Sequence, residues 1–79
     1  MFYYTYVLRS HLDNKLYTGW TDDLIDRVKK HNLGLVKSTK YRRPLILVYY
    51  EACLIKEKAI LREKQLKTGF GRAYLKRRV

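Results

Sequence analysis

Two short segments near the start of the chain are rich in aromatic and β-branched residues, and a turn sequence lies between them. The segments are residues 3–9 (YYTYVLR) and 16–20 (LYTGW), with Asp13-Asn14 between them. Aromatic and β-branched side chains fit the pleated surface of a sheet, while Asp and Asn accept turn conformations. The sequence therefore predicts a β-hairpin, and the rest of the chain must pack against a small antiparallel sheet.

A first helix is predicted directly after the hairpin. Thr21 and Asp22 are typical N-cap residues, and Asn32 and Gly34 are typical of a helix end. Three residues between them recur at helical spacing: Leu24, Val28 and His31.

The second half of the chain predicts one more strand and two more helices. An apolar run at 45–50 predicts a third strand, and residues 56–67 contain strong helix formers without Gly or Pro. Gly69-Phe70-Gly71 should end that helix, and residues 72–79 predict a short basic one. Three side chains would attach this last helix to the core: Phe70, Tyr74 and Leu75.

The length of 79 residues allows one modest core, so we expect a single domain over residues 1–79. The predicted fold is α/β of the α+β type: a small antiparallel three-stranded sheet flanked by two main helices and a short C-terminal helix. No stretch approaches the ~18 apolar residues of a membrane span, and the start does not resemble a signal peptide, so we expect a cytoplasmic protein. Cys53 is the only cysteine, which excludes an internal disulfide and predicts a small core residue at a strand edge.

Positive charge is concentrated in the second half of the chain. Residues 1–36 carry five Lys or Arg and four Asp or Glu, whereas residues 37–79 carry thirteen and three, and the total net charge is +11. Such a surface binds polyanions by releasing counterions from phosphates. Because no single amphipathic helix collects the charge, nucleic acid is a better candidate partner than a membrane. The alternative is a basic surface that only keeps the protein soluble.

One carboxylate stands out in the predicted second helix. Glu63 falls on the same helical stripe as four apolar residues, namely Ile55, Ala59, Ile60 and Leu66. A carboxylate there is costly without a cation or hydrogen-bond donors. Two interpretations remain open: an ion pair with Arg27 or a neighbouring Lys, and a ligand for a divalent metal ion.

Four further residues in the first half of the chain are candidates for a catalytic site. Arg27 and His31 are spaced i, i+4 on the first helix, which suits the binding of a phosphate, although a hydrogen-bonded boundary histidine is the alternative for His31. Tyr6 and Tyr17 can share one face of the hairpin, with Gly19 leaving space for a substrate or helix. Taken singly, each tyrosine is more often a packing residue.

In combination, these residues resemble the GIY-YIG nuclease superfamily, in particular its small stand-alone bacterial branch with URI-type endonuclease domains. Tyr4-Thr5-Tyr6 stands at the first signature motif and Tyr17-Thr18-Gly19 at the second. The remaining matches are the helix carrying Arg27 and His31, the basic loop 37–44, and Glu63. The sequence departs from the family in two places. Tyr4-Thr5 replaces Gly-Ile, and no Asn follows Glu63 where the family has a late asparagine.

The resemblance implies a divalent-metal-dependent endonuclease. Glu63 would bind Mg²⁺ or Mn²⁺, Arg27 would neutralise charge on the phosphorus, and Tyr6 would activate water as a phenolate favoured by nearby positive charge. Tyr17 and His31 would orient the water or share its proton. The candidate phosphate contacts are basic residues of the loop and the C-terminal tail: Lys37, Lys40, Arg42, Arg43, Arg72, Lys76, Arg77 and Arg78.

The expected substrate is DNA more than RNA, with little intrinsic sequence specificity unless a protein partner supplies it. Three aromatic residues could stack on an unpaired base, although core packing is favoured for each: Trp20, Tyr41 and Phe70. The alternatives to an active endonuclease are a catalytically weak or inactive nucleic-acid-binding module of the same fold and a basic RNA-associated structural protein.

Overall fold

A computed structural model describes residues 1–79 and contains one sheet of three antiparallel strands with three helices. The elements, numbered in chain order, are β1 (Tyr3–Ser10), β2 (Leu16–Thr21), α1 (Leu24–Asn32), β3 (Leu45–Cys53), α2 (Lys56–Leu66) and α3 (Gly69–Lys76). A short 3₁₀ turn, Lys40–Arg42, lies in the loop between α1 and β3. The strand order is β2-β1-β3, so β1 is the central strand. The predicted fold class is confirmed.

The central strand carries the core on both of its faces because its side chains alternate in direction. Tyr6 and Leu8 pack with Leu24 and Val28 of α1. Val7 points to the other side and packs in a cluster with residues of α2 and α3, namely Leu66, Leu75 and Tyr74. None of the three helices has the length and apolar character needed to cross a membrane.

A β-bulge adapts the edge strand β3 to these two faces. Val7 pairs with Tyr49 but Leu8 pairs with Leu47, so β3 has one extra residue, Val48, at this point. Val48 and Tyr49 consequently both pack into the cluster beneath α2 and α3.

An ion pair connects β3 to α2. The Arg62 guanidinium donates hydrogen bonds to both carboxylate oxygens of Glu51, and the Tyr49 hydroxyl donates to the same carboxylate. Burial alone would raise the pKa of Glu51, but these hydrogen bonds outweigh it and lower the pKa, so the carboxylate stays charged. Tyr49 also hydrogen-bonds Tyr74 at 3.0 Å, which extends the connection to α3.

The start of α1 and the end of β3 differ from prediction. Asp23 is the N-cap of α1, and its carboxylate accepts from the Asp26 N–H, whereas Thr21 ends β2 and its hydroxyl accepts from the Asp23 N–H. β3 continues three residues beyond the predicted end at 50, because residues 51–53 pair with the first residues of β1. Cys53 is half-buried there.

The predicted helix break exists but lies at Lys67-Thr68, two residues before Gly69-Phe70-Gly71, which form the first turn of α3. The Thr68 hydroxyl caps the turn by accepting from the Gly71 N–H at 3.2 Å. Phe70 is 93% exposed and does not attach the helix to the core, while Leu75 is buried and Tyr74 half-buried. Ile55, placed on the buried stripe of α2 by its spacing, is also exposed, since it precedes the helix as its N-cap.

The contact between α3 and the end of α2 depends on Gly71. A Cβ atom there would lie 2.3 Å from both the Gln65 carbonyl oxygen and the Leu66 Cα, which are backbone atoms that cannot rotate away. A Cβ at Gly69, two residues earlier, would meet nothing within 4 Å.

We expect Gly71→Ala to lower the free energy of unfolding by about 2–4 kcal/mol, because the helices must separate to admit the methyl group. Gly69→Ala is the matched control and should be neutral or stabilising, within about 1 kcal/mol, since alanine favours the helix. Urea unfolding of both variants measures the difference. Equal free energies of unfolding would contradict this account of the α2–α3 contact.

Candidate active site

A buried tyrosine on the central strand forms the centre of the candidate site. Tyr6 is 1% exposed, and its hydroxyl lies 2.8 Å from Nε2 of the fully buried His31. Gly19 pairs with Tyr6 across β1 and β2, and a Cβ there would lie 2.6 Å from the Tyr6 hydroxyl oxygen. The space left by Gly19 is therefore filled by Tyr6, rather than by a substrate or helix as the sequence predicted.

The hydrogen bonds around His31 determine which ring nitrogen carries the proton. The Thr39 hydroxyl donates to the Val36 carbonyl at 3.5 Å and lies 2.7 Å from His31 Nδ1. Of the two partners of the Tyr6 hydroxyl, Arg27 can only donate, so the hydroxyl hydrogen goes to Nε2 of His31. The neutral ring therefore carries its proton on Nδ1, which donates to Thr39, while Nε2 is unprotonated.

Arg27 and Tyr17 complete the group around Tyr6. The Arg27 Nε–H donates to the Tyr6 hydroxyl oxygen at 3.4 Å. The ring centre of Tyr17 lies 5.0 Å from that of His31 and 6.4 Å from that of Tyr6, with tilted or edge-on packing. Four of the five predicted catalytic side chains, from β1, β2 and α1, thus lie together.

Burial keeps both members of the Tyr6–His31 pair neutral, whereas the Arg27 charge favours neutral His31 but opposes neutral Tyr6. Burial, followed by the nearby Arg27 charge, lowers the pKa of His31 from 6.5 to about 4. Burial raises the pKa of Tyr6 and outweighs the Arg27 hydrogen bond that lowers it. Without a bound metal or substrate, Tyr6 is therefore a phenol at neutral pH. The Arg27 charge is not sufficient to favour the phenolate that the family resemblance implied for Tyr6.

Glu63 lies at the edge of this group. Its carboxylate accepts a hydrogen bond from the Lys67 ammonium at 3.1 Å, which is the neighbouring-lysine ion pair considered from the sequence, and Arg27 is not its partner. The Glu63 side chain is only 18% exposed, and its charge is close enough to raise the pKa of Tyr6.

The residues around Glu63 are consistent with one kind of metal ion. No group of three or more His, Cys, Asp or Glu side chains could enclose an ion. Mg²⁺ does not need such a group, because it keeps several waters and binds through one or two carboxylates together with substrate phosphate. Glu63 fits a hydrated ion of this kind, held jointly with a substrate.

The predicted phosphate-contact residues lie in two places. Arg72 lines a cavity of about 220 Å³ together with Tyr17 and Lys67, next to the site. Lys37, Lys40 and Arg43 are exposed in the α1–β3 loop, where Arg42 is tied to Asp13 by an ion pair. The other candidates, Lys76, Arg77 and Arg78, are exposed at the end of α3. Arg78 packs on the Tyr74 ring.

Sequence reasoning missed the residues that hold the α1–β3 loop against the site. Thr39 reads as an exposed loop residue but is fully buried against His31. The buried Ser10 hydroxyl donates to the Arg42 carbonyl at 2.6 Å, and Asn32 bonds both the N–H and C=O of Leu45 at 2.8 Å. Of these residues only Asn32 could be assigned a structural role from the sequence, as a residue at a helix end. Its hydrogen-bond partner on β3 could not be predicted from that role.

Comparison with known proteins identifies the family of the chain. The family model described as the GIY-YIG catalytic domain matches residues 2–77. The chain belongs to the GIY-YIG family. GIY-YIG superfamily members are nucleases, so membership indicates nuclease activity and nucleic-acid binding.

Relatives within the GIY-YIG family carry uninformative names. UPF0213 proteins of Staphylococcus haemolyticus and Staphylococcus aureus are 43% identical to the chain over 67 residues, covering 84% of this chain and 80% of each relative. The solution NMR structure of the UPF0213 protein BH0048 from Bacillus halodurans is similar with a TM-score of 0.58 and 36% identity, covering 95% of this chain and 82% of that one.

The neutral, buried His31 should make stability depend on pH. Between pH 6.5 and about 4 the unfolded chain binds a proton at this residue that the folded protein excludes, so stability should fall as the pH falls through this range. The loss attributable to His31 should total about 3 kcal/mol. Urea unfolding at several pH values measures it.

His31→Gln is the control for this prediction, because glutamine can hydrogen-bond but does not titrate. Its free energy of unfolding should change less between pH 7 and pH 5 than that of the wild type. The same pH dependence in both proteins would show that His31 is not held neutral.

Proposed function

We propose that this protein is a divalent-metal-dependent endonuclease that hydrolyses phosphodiester bonds in nucleic acid, with DNA as the expected substrate. The observation that carries the proposal is the buried Tyr6–His31 hydrogen bond with Arg27 donating to the same phenol oxygen. Apolar side chains would fill the same volume without the set of donors and acceptors that satisfies this pair, so packing alone does not explain why the polar atoms are there.

In the proposed reaction Tyr6 transfers a proton without becoming a lasting phenolate. Water donates one proton to the Tyr6 oxygen as Tyr6 passes its own proton to Nε2 of His31. The resulting hydroxide attacks phosphorus, the P–O bond to the leaving oxygen breaks, and that oxygen takes a proton from solvent. In this route Tyr6 acts as a phenol, because burial raises its pKa, and His31 acts as a neutral base that its lowered pKa of about 4 leaves weak until substrate is bound.

The substrate itself would strengthen His31 as a base. The Arg27 charge is one of the two causes that lower the pKa of His31. An anionic phosphate bound to Arg27 would offset that charge and so raise the pKa of His31. Arg27 would in turn stabilise the negative charge that develops on the phosphate in the transition state. Tyr17, packed against both His31 and Tyr6, would fix the orientation of the rings and of the water.

Glu63 would hold the metal ion, displacing the exposed ammonium of Lys67 from its carboxylate. A bound Mg²⁺ or Mn²⁺ would supply Lewis-acid stabilisation of a phosphate oxygen. The released Lys67 lies in the same cavity as Arg72 and Tyr17, where both cations could contact a neighbouring phosphate.

The remaining basic residues would position the strand without reading its sequence. We therefore propose little intrinsic specificity, with any selectivity coming from nucleic-acid structure or a protein partner. The cytoplasmic location inferred from the sequence belongs to the same proposal.

A cleavage and binding assay tests the function. Single-stranded, duplex and branched DNA, and RNA, are incubated with the wild type, Tyr6→Phe and Glu63→Gln in Mg²⁺, Mn²⁺ or EDTA. We expect metal-dependent cleavage by the wild type and at least a ~10²-fold loss in Tyr6→Phe, because phenylalanine cannot transfer the proton. Nucleic-acid affinity in EDTA should change little.

Tyr50→Phe is the matched control. Tyr50 pairs with Tyr6 in the sheet but is half exposed, so loss of its hydroxyl should leave cleavage unchanged. Absence of cleavage on every substrate, with equal binding by wild type and Glu63→Gln in Mg²⁺, would contradict the proposal. That result would favour the alternative of a catalytically inactive nucleic-acid-binding module with the same fold. The absence of an asparagine after Glu63 is the sequence feature that suggests this alternative.

A further inference from the structure

Tyr41 is a large aromatic residue displayed outside the core. Core packing was the favoured expectation for it, but its side chain is 79% exposed in the 3₁₀ turn Lys40–Arg42. Single exposed apolar residues are common, so exposure alone indicates nothing. The residues around Tyr41 indicate a binding role for its ring.

The backbone that carries Tyr41 is fixed on both sides by hydrogen bonds. Thr39, two residues before it, is buried against His31. The next residue, Arg42, accepts a hydrogen bond from the buried Ser10 hydroxyl at 2.6 Å, and the Arg43 side chain donates to the Lys40 carbonyl at 2.8 Å. The exposed ring is therefore held by a rigid turn, which lowers the entropy cost of ordering it around a ligand.

The ring borders a cavity with the size and charge for a nucleotide. The cavity has a volume of about 390 Å³ and is lined by Asn32, Lys40, Tyr41, Arg43 and Pro44. No carboxylate lines it, and the Lys40 ammonium lies over one face of the Tyr41 ring, 5.4 Å from its centre, so a base would stack on the opposite face. An aromatic ring with one cation over it and a second cation, Arg43, in the same cavity can bind a base by stacking and the adjacent phosphates by charge.

We propose that Tyr41 forms a stacking subsite for an unpaired nucleobase, with Lys40 and Arg43 binding the adjacent phosphates. A base inside a duplex already stacks on its neighbours, so the ring is available only to a base that is bulged, looped or single-stranded. The subsite is connected to His31 of the candidate active site through Thr39, whose hydroxyl lies 2.7 Å from Nδ1 of that ring. The inference rests on the proposed function and specifies its substrate as nucleic acid with an unpaired nucleotide near the scissile phosphate.

Equilibrium binding to three matched DNAs tests the subsite. The first is a duplex with one bulged nucleotide, the second carries an abasic residue at the bulge, and the third is perfectly paired. Fluorescence anisotropy with the full chain, in EDTA and at one fixed salt concentration, gives affinities without metal-dependent cleavage. The wild type should bind the bulged duplex about tenfold more tightly than the abasic one.

Substitutions at Tyr41 attribute this preference to the ring. Tyr41→Ala should bind the bulged and abasic duplexes equally, whereas Tyr41→Phe, which keeps the aromatic face, should retain the preference. Phe70→Ala is the matched control, since Phe70 is equally free of the core but no hydrogen bond ties it to His31, and it too should retain the preference.

Each outcome distinguishes the subsite from the proposed function. If Tyr41→Ala keeps the wild-type preference, or the wild type has none, the subsite is overturned while nucleic-acid binding stands. If Phe70→Ala rather than Tyr41→Ala abolishes the preference, the stacking residue is Phe70 and the assignment is wrong. If the wild type binds none of the three duplexes nor the corresponding single strands, both proposals fail.

Discussion

The hydrogen bond between Tyr6 and His31 joins the central strand to α1 inside the protein, and several neighbouring residues are needed to make its burial possible. A phenol and an imidazole buried together must have their polar atoms satisfied, or folding loses several kcal/mol. Thr39 satisfies the second imidazole nitrogen, and Arg27 donates to the phenol oxygen. Gly19 provides the space for the phenol. The positions of Thr39, Arg27 and Gly19 therefore all follow from the burial of the Tyr6–His31 pair.

The same pair connects the interior with the basic surface. Because Thr39 belongs to the α1–β3 loop, satisfying His31 also fixes the loop that displays Lys40, Tyr41 and Arg43. The loop that we propose as a nucleic-acid contact is thereby held in position relative to the proposed proton-transfer group. Positive charge explains attraction to phosphates, whereas this anchoring explains how a bound strand could be aligned for reaction.

The sequence predicted the fold well because its signals are local. Hairpin, helix and strand propensities do not depend on distant contacts, and only the caps and ends shifted, most clearly at Gly71, whose role depends on α2 packing above it. Tyr6, Tyr17, Arg27 and His31 could be grouped from periodicity and family resemblance. The burial of Thr39 could not, because a polar loop residue gives no sign of which buried atom it will meet.

The protonation of the His31 ring is the most direct test of this account. ¹⁵N NMR of the imidazole at increasing acidity reports which nitrogen is protonated and where the ring titrates. We predict a proton on Nδ1, an unprotonated Nε2 that accepts from Tyr6, and no titration above about pH 5, given a pKa of about 4. A proton on Nε2, or titration near 6.5, would contradict the proposed direction of proton transfer.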